Sequence, residues 1–399
     1  MNETRALVEA FDAANARGER CALATVVSVE GSSYRRPGAR MLVCETGAST
    51  GTISAGCLES DVIEHAKRVL WTGAAQLVEY NTASTGDEMA WGLGLGCNGI
   101  VRVLVEPLVS GSLYIEALRR SCAPRPGTTS VSVATVYQSA APDLAPAGAR
   151  LFLDADGNVR HENLRGELAA MLEDEVRALA RDGMTSGARL CDMDGIAAKV
   201  FIETLLPPVP LVLFGAGQDA LPIVRLACEL GWQTEVVDPQ SRPASRSRFA
   251  IADRVTLARP GEVGKHVRIT QRTMTLLMSH NYSHDLEMLR FLLASPAPYI
   301  GVMGPRKRTE QMLTELAAAG ETVLLDEASL ARLHAPAGLD IGANGPAEIA
   351  LSIVAEMRAA LEGRRGGMLR ERHGSIHGSS ADGEHVTSAE KRLLPMVAA

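Results

Sequence analysis

Residues 211–239, "LVLFGAGQDALPIVRLACELGWQTEVVDP", decide the fold of the second half of the chain. An apolar run ends at Gly215-Ala216-Gly217-Gln218-Asp219-Ala220, and an amphipathic helical pattern follows as far as Gly231, a helix stop. A second apolar run then closes on Asp238. Strand, G-x-G-x-x-A turn, helix, strand and acid in that order predict a Rossmann-like domain. Gly215 and Gly217 would let a phosphate approach the helix N-terminus, and Asp238 stands at the spacing that reaches a ribose hydroxyl. Asp219 inside the turn would instead repel a phosphate. The fold follows from the pattern, whereas the ligand does not, because the same turn also serves as a plain strand-to-helix connection.

Around this segment the chain reads as a folded globular protein with room for more than one core. It has 399 residues, 46% of them apolar. The net charge of −7 and the lack of a Lys/Arg block argue against nucleic acid as a partner. Residues 1–20 alternate acids and bases in an amphipathic helical pattern, unlike a signal peptide, and no apolar run approaches bilayer length. Seven scattered cysteines without a C-x-x-C fit neither a disulfide framework nor a zinc ribbon, and predict a cytoplasmic location.

The first half contains an internal repeat. Adding 110 to the numbers of "ALATVVSVEGSSYRRPGARMLVCETG" lays it on "SVATVYQSAAPDLAPAGARLFLDADG". The shift carries Gly38-Ala39-Arg40 onto Gly148-Ala149-Arg150, and Gly47, Gly56 and Gly73 onto Gly157, Gly166 and Gly183. Each copy predicts strands around a glycine turn, a helix (roughly 58–71 and 163–181) and a β-rich segment, "GIVRVLVEPL" or "AAKVFIETLL". Shared glycines serve shared turns. What only one copy holds is the informative part. Tyr34-Arg35-Arg36 faces Leu144-Ala145-Pro146, Cys57 faces Glu167, and "WGLGLGCNG" at 91–99 has no counterpart. The first copy therefore carries chemistry that the scaffold itself does not need, with Cys57 and Cys97 as its thiols. Cys21, Cys44, Cys122, Cys191 and Cys228 have no motif beside them and read as structural or incidental.

Beyond Asp238, "MSHNYSHD" ends a strand at Ser279-His280 and starts a helix. His280, His284 and Asp285 lie where open α/β sheets place ligands, although Ser283 or Asn281 capping the helix explains the stretch equally well. "YIGVMGPRKR" offers Arg306 and Arg308 to an anion or to solvent. In "IGANGPAEIALSIVAEM", Pro346 and Glu348 suit a first helical turn. The expected organisation is α/β. An N-terminal α+β domain, residues 1–206, is built from an internal duplication (about 20–108 and 130–206). A Rossmann-like parallel-sheet domain spans 207–362, and a disordered tail 363–399.

Taken together, "ATVVSVEGSSYRRPGARMLV", "GTISAGCLESDV", "GLGLGCNG", "LVLFGAGQDALPIV", "VVDPQ", "SHNYSHD", "YIGVMGPRKR" and "IGANGPAEIALSIVAE" resemble the xanthine dehydrogenase accessory protein family, XdhC/CoxI. Ala55 stands where that family usually has Gly, Asn98 where Gly is common, and Gln218 where His is common. The resemblance implies a cofactor-insertion chaperone rather than an enzyme. Such a factor binds molybdenum cofactor (molybdopterin), assists its sulfuration with a cysteine desulfurase, and delivers it to a xanthine dehydrogenase-type molybdenum hydroxylase. A homodimer is expected. An anionic, oxidation-sensitive pterin calls for glycine turns, a cationic contact and a soft sulfur. The candidate cofactor-binding set is Cys57, Cys97, Arg35, Arg36, Gly56, Glu59, Gly215, Gly217, Asp238, His280 and Arg306, with Cys57 as the molybdenum or sulfur contact. Two alternatives stay open: an oxidoreductase binding NAD(P) at the Gly-rich turn, and a metal-dependent hydrolase using His280, His284 and Asp285.

Overall fold

The computed structural model describes residues 2–31, 33–54, 56–81, 99–122, 130–181, 186–193, 196–321 and 325–371. The chain divides into two compact units, Met1–Pro208 and Val209–Ala399. Among the described residues no helix is long and apolar enough to cross a membrane.

The first unit is the duplication in three dimensions. Its first copy runs α1 (Asn2–Ala16), β1 (Cys21–Gly31), β2 (Arg40–Cys44), β3 (Ser49–Gly51), α2 (Glu59–Thr72), β4 (Gln76–Asn81) and β5 (Gly99–Leu108). The second runs α3 (Leu113–Cys122), β6 (Val131–Ser139), β7 (Arg150–Asp154), β8 (Val159–Glu162), α4 (Glu167–Arg181), β9 (Ser186–Met193) and β10 (Ile196–Leu205). Each copy thus also begins with a helix, which lies outside the stretch where the two sequences align. The sheets have the same antiparallel order, β3-β2-β1-β5-β4 and β8-β7-β6-β10-β9.

Strand periodicity explains how β1 is buried along most of its length. Ala22, Ala24 and Val26 join the core under α2, while Cys21 and Leu23 join the core under α1 and α3. A bulge then removes Val27 from the pairing between β1 and β5, and an equivalent bulge removes Tyr137 from that between β6 and β10. Both released side chains are buried in one cluster with Leu104 and Phe201.

The two copies also exchange charges across this cluster. Arg40 of the first forks onto Glu203 of the second, and Arg150 of the second forks onto Glu106 of the first. All four side chains are nine-tenths or more buried. Tyr114 lies between the pairs: its hydroxyl donates to Glu203 at 3.0 Å, and the Arg150 guanidinium sits 3.8 Å from its ring centroid. The arrangement is self-complementary in the manner of a twofold dimer interface, here within a single chain.

The second unit places β11 (Pro210–Phe214), α5 (Ala220–Glu229), β12 (Gln233–Asp238), α6 (Ala244–Arg248), β13 (Arg254–Leu257), α7 (Val263–His266) and β14 (Met274–Leu277). It continues with α8 (Tyr282–Leu293), β15 (Tyr299–Val302), α9 (Arg306–Ala318), α10 (Glu327–Ala331), β16 (Leu333–His334) and α11 (Pro346–Leu361). The strands pair in parallel in the order β13-β12-β11-β14-β15-β16, the Rossmann order. Both faces are covered, so the central strands β11, β14 and β15 are almost wholly buried. Leu211 and Leu213 pack in one core with α5 and α11, and Val212 and Phe214 in the other with α8 and α9. Strand order reverses between β11 and β14, which brings the Gly215 turn and Ser279-His280 to one crevice.

Candidate functional site

In the first unit, the turn between β3 and α2 is organised from within by Glu59. Its Oε1 accepts from Thr52 Oγ1 (2.5 Å), the Ser54 amide (2.8 Å) and the Ile53 amide (3.2 Å). Its Oε2 accepts from the Ser54 hydroxyl and from the Leu58 amide (3.2 Å). Ser54 Oγ in turn accepts from the amides of Cys57 (3.1 Å) and Leu58 (3.0 Å). The amides just before α2 are therefore satisfied by Ser54 and Glu59, and the backbone that carries Cys57 is tied down. Cys57 is exposed, whereas Cys21, Cys44 and Cys122 are buried and Cys228 is half-buried. Beside it Gly56 adopts φ +99°, and a Cβ there would meet open space. The site thus presents an exposed thiol on a turn held by Glu59 and Ser54.

Burial pushes the Glu59 carboxyl up, and the hydrogen bonds from Ser54 and Thr52 outweigh it, bringing it to about 2 against an ordinary 4.5. A folded-state value below the unfolded one contributes stability above the unfolded value and loses it as pH falls toward the folded one. The urea midpoint of the parent should therefore fall more steeply between about pH 5 and about pH 3 than that of Glu59→Gln, which has no carboxyl to protonate. Equal falls would show that the carboxylate does not hold the turn.

Arg35 belongs to the same copy. It is half-buried and forks onto Glu3 of α1, with one contact of 3.1 Å. Its basicity is raised first by Glu3, and the charge on Glu59 adds to the effect. Glu3, Tyr34, Arg35, Arg36 and residues 37–39 line an open pocket of about 330 Å³. Tyr34 is 67% exposed. The carbonyl of Gly38, one of the lining residues, accepts from Arg40 of the buried Arg40–Glu203 pair. Cys97 and the "WGLGLGCNG" stretch up to Asn98 lie outside the described residues. They fall in residues 82–98, between β4 and β5, where the second copy has only residues 194–195 between β9 and β10.

In the second unit the Gly-rich turn is occupied by the chain itself. A Cβ on Gly215, at φ +142°, would run into the Met278 carbonyl, so this glycine lets the ends of β11 and β14 come together. A Cβ on Gly217 would collide with the Asp219 carboxylate, whose other oxygen lies 2.7 Å from His280 Nε2. His280 is itself held at φ +57°. Asp238, expected to address a ribose, is wholly buried and closes its own loop. It accepts from the amides of Gln240 and Arg242, the Arg242 guanidinium and the Ser245 hydroxyl.

Asp285 is likewise buried, between Ser279 and Arg308. Asn281, not Ser283, caps α8. Arg306 is exposed on the first turn of α9. Among the described residues no group of three or more His, Cys, Asp or Glu is arranged to hold a metal ion. Sequence reasoning missed that Glu59 orders the turn and that Glu3 engages Arg35. The available signal for the first was the pair of hydroxyls, Thr52 and Ser54, seven and five residues before a carboxylate at a helix start.

Comparison with known proteins adds three findings. A model of the XdhC Rossmann domain matches residues 211–357, and a model of the XdhC and CoxI family matches residues 14–81. A protein of Bacillus subtilis (strain 168) described as a probable xanthine dehydrogenase subunit is 31% identical over 339 residues, covering 85% of this chain and 92% of the relative. The molybdenum cofactor insertion chaperone PaoD of Escherichia coli (strain K12) is 20% identical over 340 residues, covering 85% and 83%. A crystal structure of a xanthine dehydrogenase from Bacillus halodurans superposes with a TM-score of 0.69 at 29% identity, covering 90% of this chain and 96% of that one.

Proposed function

We propose, because the chain belongs to the XdhC and CoxI family, that it is an accessory factor for a xanthine dehydrogenase-type molybdenum hydroxylase. It binds molybdenum cofactor, assists its sulfuration with a cysteine desulfurase as sulfur source, and hands it to that client without turnover of its own. The name of the insertion chaperone it resembles supports the same cargo.

The observation that carries the reading is the exposed Cys57 on a turn fixed by Glu59, present in one copy of a duplicated scaffold and replaced by Glu167 in the other. A soft thiol suits a molybdenum-bound dithiolene or a sulfur in transit. Arg35 and Arg36 would meet the cofactor phosphate. The Rossmann-like unit lends less to a nicotinamide enzyme. Asp219 sets a carboxylate over the turn where a pyrophosphate would lie, and Asp238 has spent its oxygens on its own loop. In a strain lacking this chain, the client should accumulate folded but short of sulfurated cofactor. A fully loaded, fully active client in that strain would overturn the proposal.

A further inference from the structure

Cys21 and Cys44 stand directly opposite each other on β1 and β2, both buried, with their sulfurs 3.4 Å apart. The type of pairing matters. The Glu45 amide donates to the Arg20 carbonyl, and the Val26 amide to the Ala39 carbonyl, so the pairs 20–45 and 26–39 are hydrogen-bonded ones. Alternation along an antiparallel ladder makes 21–44 a non-hydrogen-bonded pair, where Cα atoms lie about 4.5 Å apart and side chains converge. A disulfide spans Cα separations of about 4.4–6.8 Å, so closing this one asks little of the backbone.

We propose that Cys21 and Cys44 form a reversible cross-strand disulfide, a redox modification site in the strand pair that leads into the Cys57 turn. The oxidant class is a low-molecular-weight disulfide such as oxidised glutathione. Cys44 lies at the end of β2 next to the Glu45–Gly47 turn and is the more exposed of the two, at 5% against 2%. Its thiolate attacks the external disulfide, giving a mixed disulfide and releasing one small thiol. The Cys21 sulfur then attacks the Cys44 sulfur and expels the second. Two protein thiols are oxidised by two electrons, one external disulfide is reduced to two thiols, and the two cysteine protons leave with them. Both sulfurs are buried, so both steps wait on local opening of the strand end, and burial raises the Cys21 thiol above its ordinary range. Once formed, the bond is shielded from external thiols by the same burial. It would tie β1 to the β2–β3 hairpin independently of any cofactor role for Cys57.

The test equilibrates the full-length chain with glutathione redox buffers. One arm keeps it native throughout, and a second refolds it from denaturant in the same buffers. Both are quenched in acid, alkylated and mapped by mass spectrometry. The expected result is a linked Cys21–Cys44 peptide lighter by two hydrogens, two fewer alkylated thiols, and a higher guanidinium midpoint for the oxidised chain. Cys44→Ala should abolish the link and leave Cys21 alkylated. The link in either arm supports the proposal. Cys21 and Cys44 fully alkylated in both arms, or joined to other cysteines instead, would overturn it.

Discussion

Arg150→Met lowers the stability of the N-terminal unit by about 3–5 kcal/mol, the cost of leaving the buried Glu106 carboxylate without its partner. Burial works against the charge on Arg150, and Glu106 more than offsets it, which is why its basicity is raised. Two further features depend on the guanidinium: it accepts the face of Tyr114 and ties down the Gly148 carbonyl. Guanidinium unfolding followed by hydrogen exchange in peptides from both sheets would report the loss. Because the pair joins the two copies, protection should fall in the first sheet as well as the second. Arg150→Met combined with Glu106→Leu should recover most of the stability, since an apolar pair of similar volume has no charge to bury. Loss confined to the second sheet would mean that this pair does not couple the copies, and no recovery in the double variant would mean that the lost stability is not the cost of an unpaired buried charge.

Cys57→Ala has the opposite profile, with little change in stability and a large change in function. The side chain is exposed and the turn is held by Glu59, Ser54 and Thr52, so its removal should stay within about 0.5 kcal/mol. Alanine offers no thiolate, so the variant should lose most of its bound molybdenum cofactor or its ability to activate the client. Cys228→Ala, with its sulfur near Thr234 on the Rossmann side, serves as the control and should match the parent. Normal cofactor binding and delivery by Cys57→Ala would assign the site to the arginines and glycine turns.

The architecture was legible because it rests on local patterns. The 110-residue offset reappears in the bounds of β2 and β7, Arg40–Cys44 and Arg150–Asp154, and the G-x-G-x-x-A segment does begin a Rossmann sheet. Turn glycines and strand periods are properties of neighbouring residues, so one sequence suffices to read them. What was not legible depends on residues far apart in sequence. Arg40 and Arg150 align in the repeat, yet nothing in that alignment says that each pairs with the other copy, since Glu203 and Glu106 sit on strands displaced by the longer segment 82–98. Cys21 and Cys44 read as incidental because only strand register sets their sulfurs side by side. Asp238 matched the spacing of a ribose contact, and spacing could not foresee that Ser245 and Arg242 would fold back onto it. Glu59 stands in the candidate set, and spacing alone could not show that its oxygens accept from its own turn.

The central claim is that this chain carries molybdenum cofactor, and anaerobic purification of the parent chain followed by assay of molybdenum, oxidised pterin fluorescence and nicotinamide on the same sample tests it most directly. Molybdenum and pterin present together in a constant ratio, at a level reduced in Cys57→Ala, with no nicotinamide, is the result predicted here. Tightly bound NAD(P) with no pterin and no molybdenum, from cells that make the cofactor, would contradict it.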